Sequence, residues 1–258
     1  MHVVEDQHEG LASSQSPPEG GQHVELDRPT RTLEDPQNGG IERFDAALGA
    51  LLDGLDAAGL SESTIVIVTS DHGDGDGAHR WNQKTALFEE CVRVPLIVNG
   101  PDVAPGTRLA RVSASIDILP TLLEWAQAVV PEDLPGQPLS FEDAESSDDA
   151  GARCIVVETL FDHGAPPRTR GRALYHGDYK YVVYSWGRYR EQLFNLVDDS
   201  GERRNLAVES ASDAVLEKMR RHLLDWCVAT DDGDFLKFLV LPADAPVGAH
   251  AEIFARPY

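Results

Sequence analysis

From Thr69 to Lys84 the chain reads Thr-Ser-Asp-His-Gly-Asp-Gly-Asp-Gly-Ala-His-Arg-Trp-Asn-Gln-Lys, its most informative stretch for chemistry. Asp71 and His72 offer a carboxylate oxygen and an imidazole nitrogen, a donor pair suited to a divalent cation. Lys84 follows twelve residues after His72 and is one of four lysines in the chain. A single ammonium on a loop neutralises a sulfate or phosphate oxygen and the charge that develops on a leaving group. His79 lies between them and suits either a substrate contact or a structural hydrogen bond. The interleaved glycines let the backbone come close to an anion. Asp74-Gly75-Asp76-Gly77 resembles a calcium loop, but the ligand spacing and terminal Glu of an EF-hand are absent.

These residues need a framework that presents them. Thr64–Ser70 is a β-branched run without polar alternation, the pattern of a strand buried on both faces of a parallel sheet. Open α/β sheets bind ligands at the carboxyl ends of such strands, which is where Asp71 falls. Upstream, Ile41, Phe44, Leu48, Leu51, Leu52 and Leu55 recur at three and four, predicting a helix that ends near Gly59 and packs on a sheet. Val94–Val98 reads as a second strand and Cys154–Glu158 as a third. A helix from Asp117 to Trp125 is capped by Ser115 or Asp117, with Pro120 in its first turn.

Further on the texture changes. Arg172–Tyr175 and Tyr179–Tyr184 flank His176-Gly177-Asp178, the turn chemistry of an antiparallel hairpin. A helix over about 212–228 puts Val215, Met219, Leu223 and Trp226 on one side. The expected order is therefore a disordered leader over 1–40, poor in large apolar residues; an α/β part over 41–165; and an α+β subdomain with its tail over 166–258, in which a small antiparallel sheet is covered by one helix.

Composition narrows the function. The 22 basic and 44 acidic residues give a net charge of −22. Such a surface repels polyphosphates and anionic lipids, excluding general nucleic-acid binding and membrane docking as expectations. An anionic substrate must be met locally, by a metal or a lysine. With 18 Arg against 4 Lys, the acidic balance resembles adaptation to high salt. Neither a signal peptide nor a membrane span is evident, and three widely spaced cysteines suggest no disulfide framework, so a cytoplasmic location is expected.

Four ordered blocks resemble the sulfatase family of the alkaline phosphatase superfamily. They are Leu55–Gly73, Gly77–Val98, Ser115–Leu123, and Tyr179-Lys180-Tyr181 followed by Glu191–Leu206. The resemblance implies an alkaline-phosphatase-like α/β sandwich with a mostly parallel central sheet, and hydrolysis of sulfate esters to alcohol and sulfate. It places Asp71 and His72 on a metal-ligand pair and Lys84 on a lysine contacting the sulfate ester and its leaving oxygen. His79 matches a histidine often found beside the site. The metal implied is a divalent cation, calcium first; arylsulfatases usually carry Asn where this chain has His72, which brings in manganese or zinc. A small sulfate ester or a sulfated glycan is the implied substrate.

The family's opening block, a strand that ends in an Asp-Asp metal pair followed by a C-x-P-S-R or S-x-P-S-R nucleophile motif, does not occur in this sequence. Cys91, Cys154 and Cys227 read as small buried hydrophobes, and no nucleophile is assigned. The chain thus reads as the C-terminal portion of a larger sulfatase, inactive alone, with a second chain or self-association completing it. Two alternatives stand beside this: a phosphonate or phosphate monoester hydrolase of the same superfamily, and a non-catalytic remnant or interaction module.

Overall fold

The computed structural model describes residues 3–4, 38–101, 103–107, 113–139, 153–161 and 168–245. The expected leader over 1–40 lies outside them, except for Val3–Val4, which form a short strand, and the first turn of a helix that begins at Asn38. The chain divides into two units. One comprises Gln7–Ile67 and Val98–Pro105, the other Met1–Asp6, Val68–Ile97 and Gly106–Tyr258.

In the first unit, α1 spans Asn38–Ala57. It stops as glycine chemistry dictates: Gly59 takes a φ of 66°, and the Leu60 N–H donates to the Leu55 carbonyl at 2.9 Å, closing the last turn. The period of apolar residues is as expected, but the packing is not. Ile41 is 69% exposed, and Phe44, Leu51 and Leu52 are exposed with it. Local periodicity suffices to shape the helix.

The strand leading to Asp71 is β2, Val66–Thr69. It is half-buried rather than sealed on both faces, because among the described residues its sheet has two strands. The run expected as one strand at Val94–Val98 is broken at Pro95, which has no N–H for a ladder. On either side lie β3, Arg93–Val94, and β4, Leu96–Asn99.

In the second unit the short helix α2, Glu89–Val92, runs directly into β3. The N-terminal strand β1, Val3–Val4, pairs parallel with β3 and antiparallel with β5, Ser113–Ala114. The helix α3, Ile118–Trp125, follows, with Pro120 in its first turn. Asp117 stands at the N-cap position, but its side chain makes no cap hydrogen bond to α3 and ties neighbouring segments together instead. Its carboxylate accepts the Ala114 N–H at 2.9 Å and the Gln137 N–H at 2.9 Å, and meets Arg153 at 2.7 Å.

The largest sheet is antiparallel, in the order β6 (Ile155–Phe161), β7 (Thr169–His176), β8 (Tyr179–Tyr184) and β9 (Glu191–Asn195). The hairpin read from His176-Gly177-Asp178 is present: His176 pairs with Tyr179, and Gly177 has the φ of 56° that the two-residue turn requires. A boundary at residue 165 falls between β6 and β7, which pair from Ile155↔Tyr175 to Phe161↔Thr169.

Both faces of this sheet are buried, and the alternation of side chains sorts them. Ile155, Val157, Ala173, Tyr175, Val182 and Phe194 face Leu87, Val92 and Ala114. Val156, Leu174, Tyr181, Val183 and Leu193 face Leu216, Met219, Leu223 and Cys227 of the helix α4, Asp213–Ala229, and Phe235 of α5, Gly233–Leu236. The main covering helix, α4, is as the sequence predicts, with the short α5 added beside it; part of the opposite cover comes from the segment that follows Lys84.

Candidate active site

Asp71 follows β2 by two residues and is solvent-facing, its side chain 82% exposed. Its Oδ1 accepts the His72 N–H at 3.0 Å, and its Oδ2 lies 3.4 Å from His72 Nε2. His72 Nδ1 is 2.8 Å from the Gly73 carbonyl, and Ser70 Oγ donates to the His72 carbonyl at 2.9 Å. The tandem Asp and His thus present an oxygen and a nitrogen toward each other, with their backbone tied down. Desolvation works to raise the Asp71 carboxyl, but His72, the adjacent backbone N–H groups and Lys84 together outweigh it and hold it below its ordinary value. Among the described residues, Asp71 and His72 belong to no cluster of three metal donors.

The loop joining the pair to Lys84 is closed by backbone contacts. Gly73 N–H donates to the Cys91 carbonyl at 2.9 Å, and Gly77 N–H to the Trp81 carbonyl at 2.9 Å. A Cβ on Gly73 would lie 2.0 Å from the Glu90 carbonyl oxygen, and one on Gly75 would lie 2.4 Å from that of Trp81. These two glycines permit close approach to the protein's own backbone, where the sequence suggested approach to an anion. Asp76, His79 and Arg80 all have positive φ, near 44°, 50° and 61°.

His79 sits in a short 3-10 turn, Ala78–Arg80. Its ring stacks on Phe88 at 3.8 Å and 3°, with Nε2 3.7 Å from Glu90 Oε2. Phe88 and Glu90 went unnoticed in the sequence, although both directly flank Glu89. His79, Glu90 and Glu202 offer donor atoms within 4.8 Å of one another, but the Glu202 carboxylate is already engaged.

That engagement anchors the segment carrying Lys84. Thr159 Oγ1 donates to the Thr85 carbonyl at 2.7 Å, and the Leu87 N–H donates to Tyr184 Oη at 3.0 Å. At α2, Glu89 receives hydrogen bonds from Tyr175 Oη at 2.6 Å and Lys180 Nζ at 2.8 Å, while its own N–H donates to Glu202 Oε2 at 2.6 Å. Lys180 Nζ is also 2.8 Å from Glu202 Oε1 and has no exposed side-chain surface. Burial works to raise the Glu89 carboxyl, and Lys180 and Tyr175 outweigh it, holding it low; burial and the Glu89 charge hold Glu202 high. Desolvation works against the Lys180 ammonium, but the two carboxylates raise its pKa.

The cysteines divide. Cys91 and Cys227 are buried, and desolvation pushes their thiols up to about 11 and about 12, so neither is a thiolate near neutral pH. Cys154 departs from the expected buried hydrophobe: it is half-buried, with Sγ 3.7 Å from His176 Nδ1.

Known proteins match this chain in the same regions. The Sulfatase family matches residues 3–128, and the family described as N-sulphoglucosamine sulphohydrolase, C-terminal, matches residues 77–228. Arylsulfatase K of Xenopus laevis is 30% identical over 188 residues, covering 70% of this chain and 35% of that protein. Arylsulfatase K of Mus musculus is 34% identical over 170 residues, covering 64% and 31%. This chain therefore spans about a third of the length of these relatives. Among solved structures, a 2-O GAG sulfatase superposes with a TM-score of 0.59 at 27% identity, covering 78% of this chain and 43% of that one. A phosphonate monoester hydrolase from Silicibacter pomeroyi gives 0.61 at 25%, covering 72% and 38%. The fold is that of the alkaline-phosphatase-like α/β proteins. The second of these families matches more than half of the chain, and together with the Sulfatase match over residues 3–128 it makes the chain a member of the sulfatase family.

Proposed function

We propose that this chain is the metal- and lysine-bearing portion of a sulfuric ester hydrolase acting on a sulfated glycan or a smaller sulfate ester. The observation that carries the reading is the Asp71–His72 pair at the end of β2, inside the Sulfatase match, followed on the same loop by Lys84, which both families match. A mostly parallel central sheet belongs to this proposal.

The donor chemistry of Asp71 and His72 fits one side of a divalent cation site, calcium first and manganese or zinc second, with ligands from elsewhere needed for tight binding. A bound cation supplies Lewis-acid stabilisation of the ester oxygens. Asp71 contributes an ionised carboxylate, and His72, held at Nδ1 by the Gly73 carbonyl, is turned so that Nε2 is the donor nearest Asp71. Lys84 places its ammonium on a non-bridging sulfate oxygen and opposes the charge that builds on the leaving oxygen. His79, on the same loop, is the second substrate contact.

Turnover requires an activated nucleophile as well, so the chain alone is expected to be inactive and to act with a partner chain or as part of a larger assembly. The test is an ester panel of aryl sulfate, phosphate and phosphonate run on the complete assembly with added calcium or manganese. Sulfate hydrolysis that falls in Lys84→Ala supports the reading. Preferential cleavage of the phosphonate shifts it to the phosphonate hydrolases, a second reading favoured by His72 at the second metal position. No hydrolysis of any ester leaves a non-catalytic module as the function.

A further inference from the structure

A second donor cluster lies at the far end of the antiparallel sheet, on the face covered by α4. Cys154 immediately precedes β6 and His176 ends β7; since Ile155 pairs with Tyr175, the next rung sets Cys154 opposite His176. Both alternate onto the face of Val156 and Leu174, which α4 covers. From that helix His222 brings its ring to 4.2 Å from that of His176, inclined by 50°. One donor atom from each of Cys154, His176 and His222 lies within 4.8 Å of the other two.

We infer that Cys154, His176 and His222 form a binding site for a thiophilic divalent cation, zinc above all, that clips α4 to the ends of β6 and β7. The geometry is near that of a loaded site. Zinc–sulfur and zinc–nitrogen bonds of about 2.3 and 2.0–2.1 Å, set at a tetrahedral angle, place sulfur and nitrogen about 3.6 Å apart. Cys154 Sγ and His176 Nδ1 are 3.7 Å apart. One thiolate with two imidazoles is a donor set that selects zinc over calcium, whose preference is for oxygen. The site is thereby chemically separate from the Asp71–His72 pair. His176 is buried while Cys154 and His222 are half-buried, which leaves a side open for entry and for water as a fourth ligand.

Cobalt(II) titration of the purified chain, in excess calcium to occupy oxygen sites, tests this. One equivalent of cobalt is expected to give a thiolate-to-cobalt charge-transfer band with the visible bands of a four-coordinate centre, and zinc should erase both. The band is lost in Cys154→Ser and in His222→Gln, each checked for folding by far-UV circular dichroism, and it persists in Cys227→Ala. No charge-transfer band at one equivalent overturns the inference, as does a band that survives in both folded variants. None of these readouts depends on ester hydrolysis, so the outcome is independent of the proposed function.

Discussion

Lys180 Nζ lies 2.8 Å from Glu89 Oε1, a contact that joins residues 91 apart and ties β8 to the short helix just beyond Lys84. The C-terminal sheet thus holds the loop of the candidate site by a charge buried without exposed surface. Removing one partner of such a group strands the others, at a cost of about 3–5 kcal/mol. Lys180→Met is expected to lower the unfolding free energy by that amount in urea denaturation, whereas an exposed substitution such as Lys84→Ala should stay within about 0.5 kcal/mol.

The same cluster makes stability depend on pH. Lys180 is raised above its ordinary 10.5, so its contribution is complete below about that pH and is lost as pH climbs through the higher folded value. Glu89 is lowered from 4.5, so its contribution is present above that value and fades as pH falls through the folded one. Glu202, raised from 4.5, acts with the opposite sign near the acid limb and blunts it. Thermal unfolding across pH should show an alkaline loss that Lys180→Met abolishes.

Lys84→Ala should reduce kcat of the complete assembly by about 10²–10³-fold, the usual cost of losing one charge-stabilising donor. Its melting temperature should not move, because the side chain is exposed. An equal loss of stability and rate would assign Lys84 to packing instead.

Gly73→Ala introduces a Cβ 2.0 Å from the Glu90 carbonyl oxygen, where the obstacle is backbone. Overpacking of this kind costs about 1–3 kcal/mol, and here it also displaces the adjacent His72. Calorimetric titration with calcium and manganese should show weak binding in the parent chain and weaker still in Gly73→Ala.

Asp117→Ala leaves the Ala114 and Gln137 N–H groups and the Arg153 guanidinium without their carboxylate. A loss of roughly 3 kcal/mol is expected by denaturant titration, since each stranded buried donor costs about 1–3 kcal/mol.

What the sequence disclosed follows from the range of the interactions involved. The hairpin at Gly177, the end of α1 at Gly59 and the apolar side of α4 are set within a few residues and were legible. Asp71, His72, His79 and Lys84 were legible as a block because they fall within fourteen positions. The Glu89–Lys180–Glu202 cluster spans 113 residues and has no local signature. Cys154 looks like any cysteine at the start of an apolar run until β6, β7 and α4 bring two imidazoles to it. The half-exposed β2 was misread because β-branched runs look alike whether one neighbour or several lie beside them.

The hydrogen bond from Gly73 to Cys91 makes the stretch between them a loop whose ends meet. Closing a longer loop costs only about 0.6 kcal/mol per doubling of its length. Residues inserted at the exposed turn around Gly77 would therefore leave the anchors at Thr85, Leu87 and Glu89 in place while reshaping what surrounds Lys84. A longer loop at this place would alter the surroundings of Lys84 with the scaffold beneath it untouched.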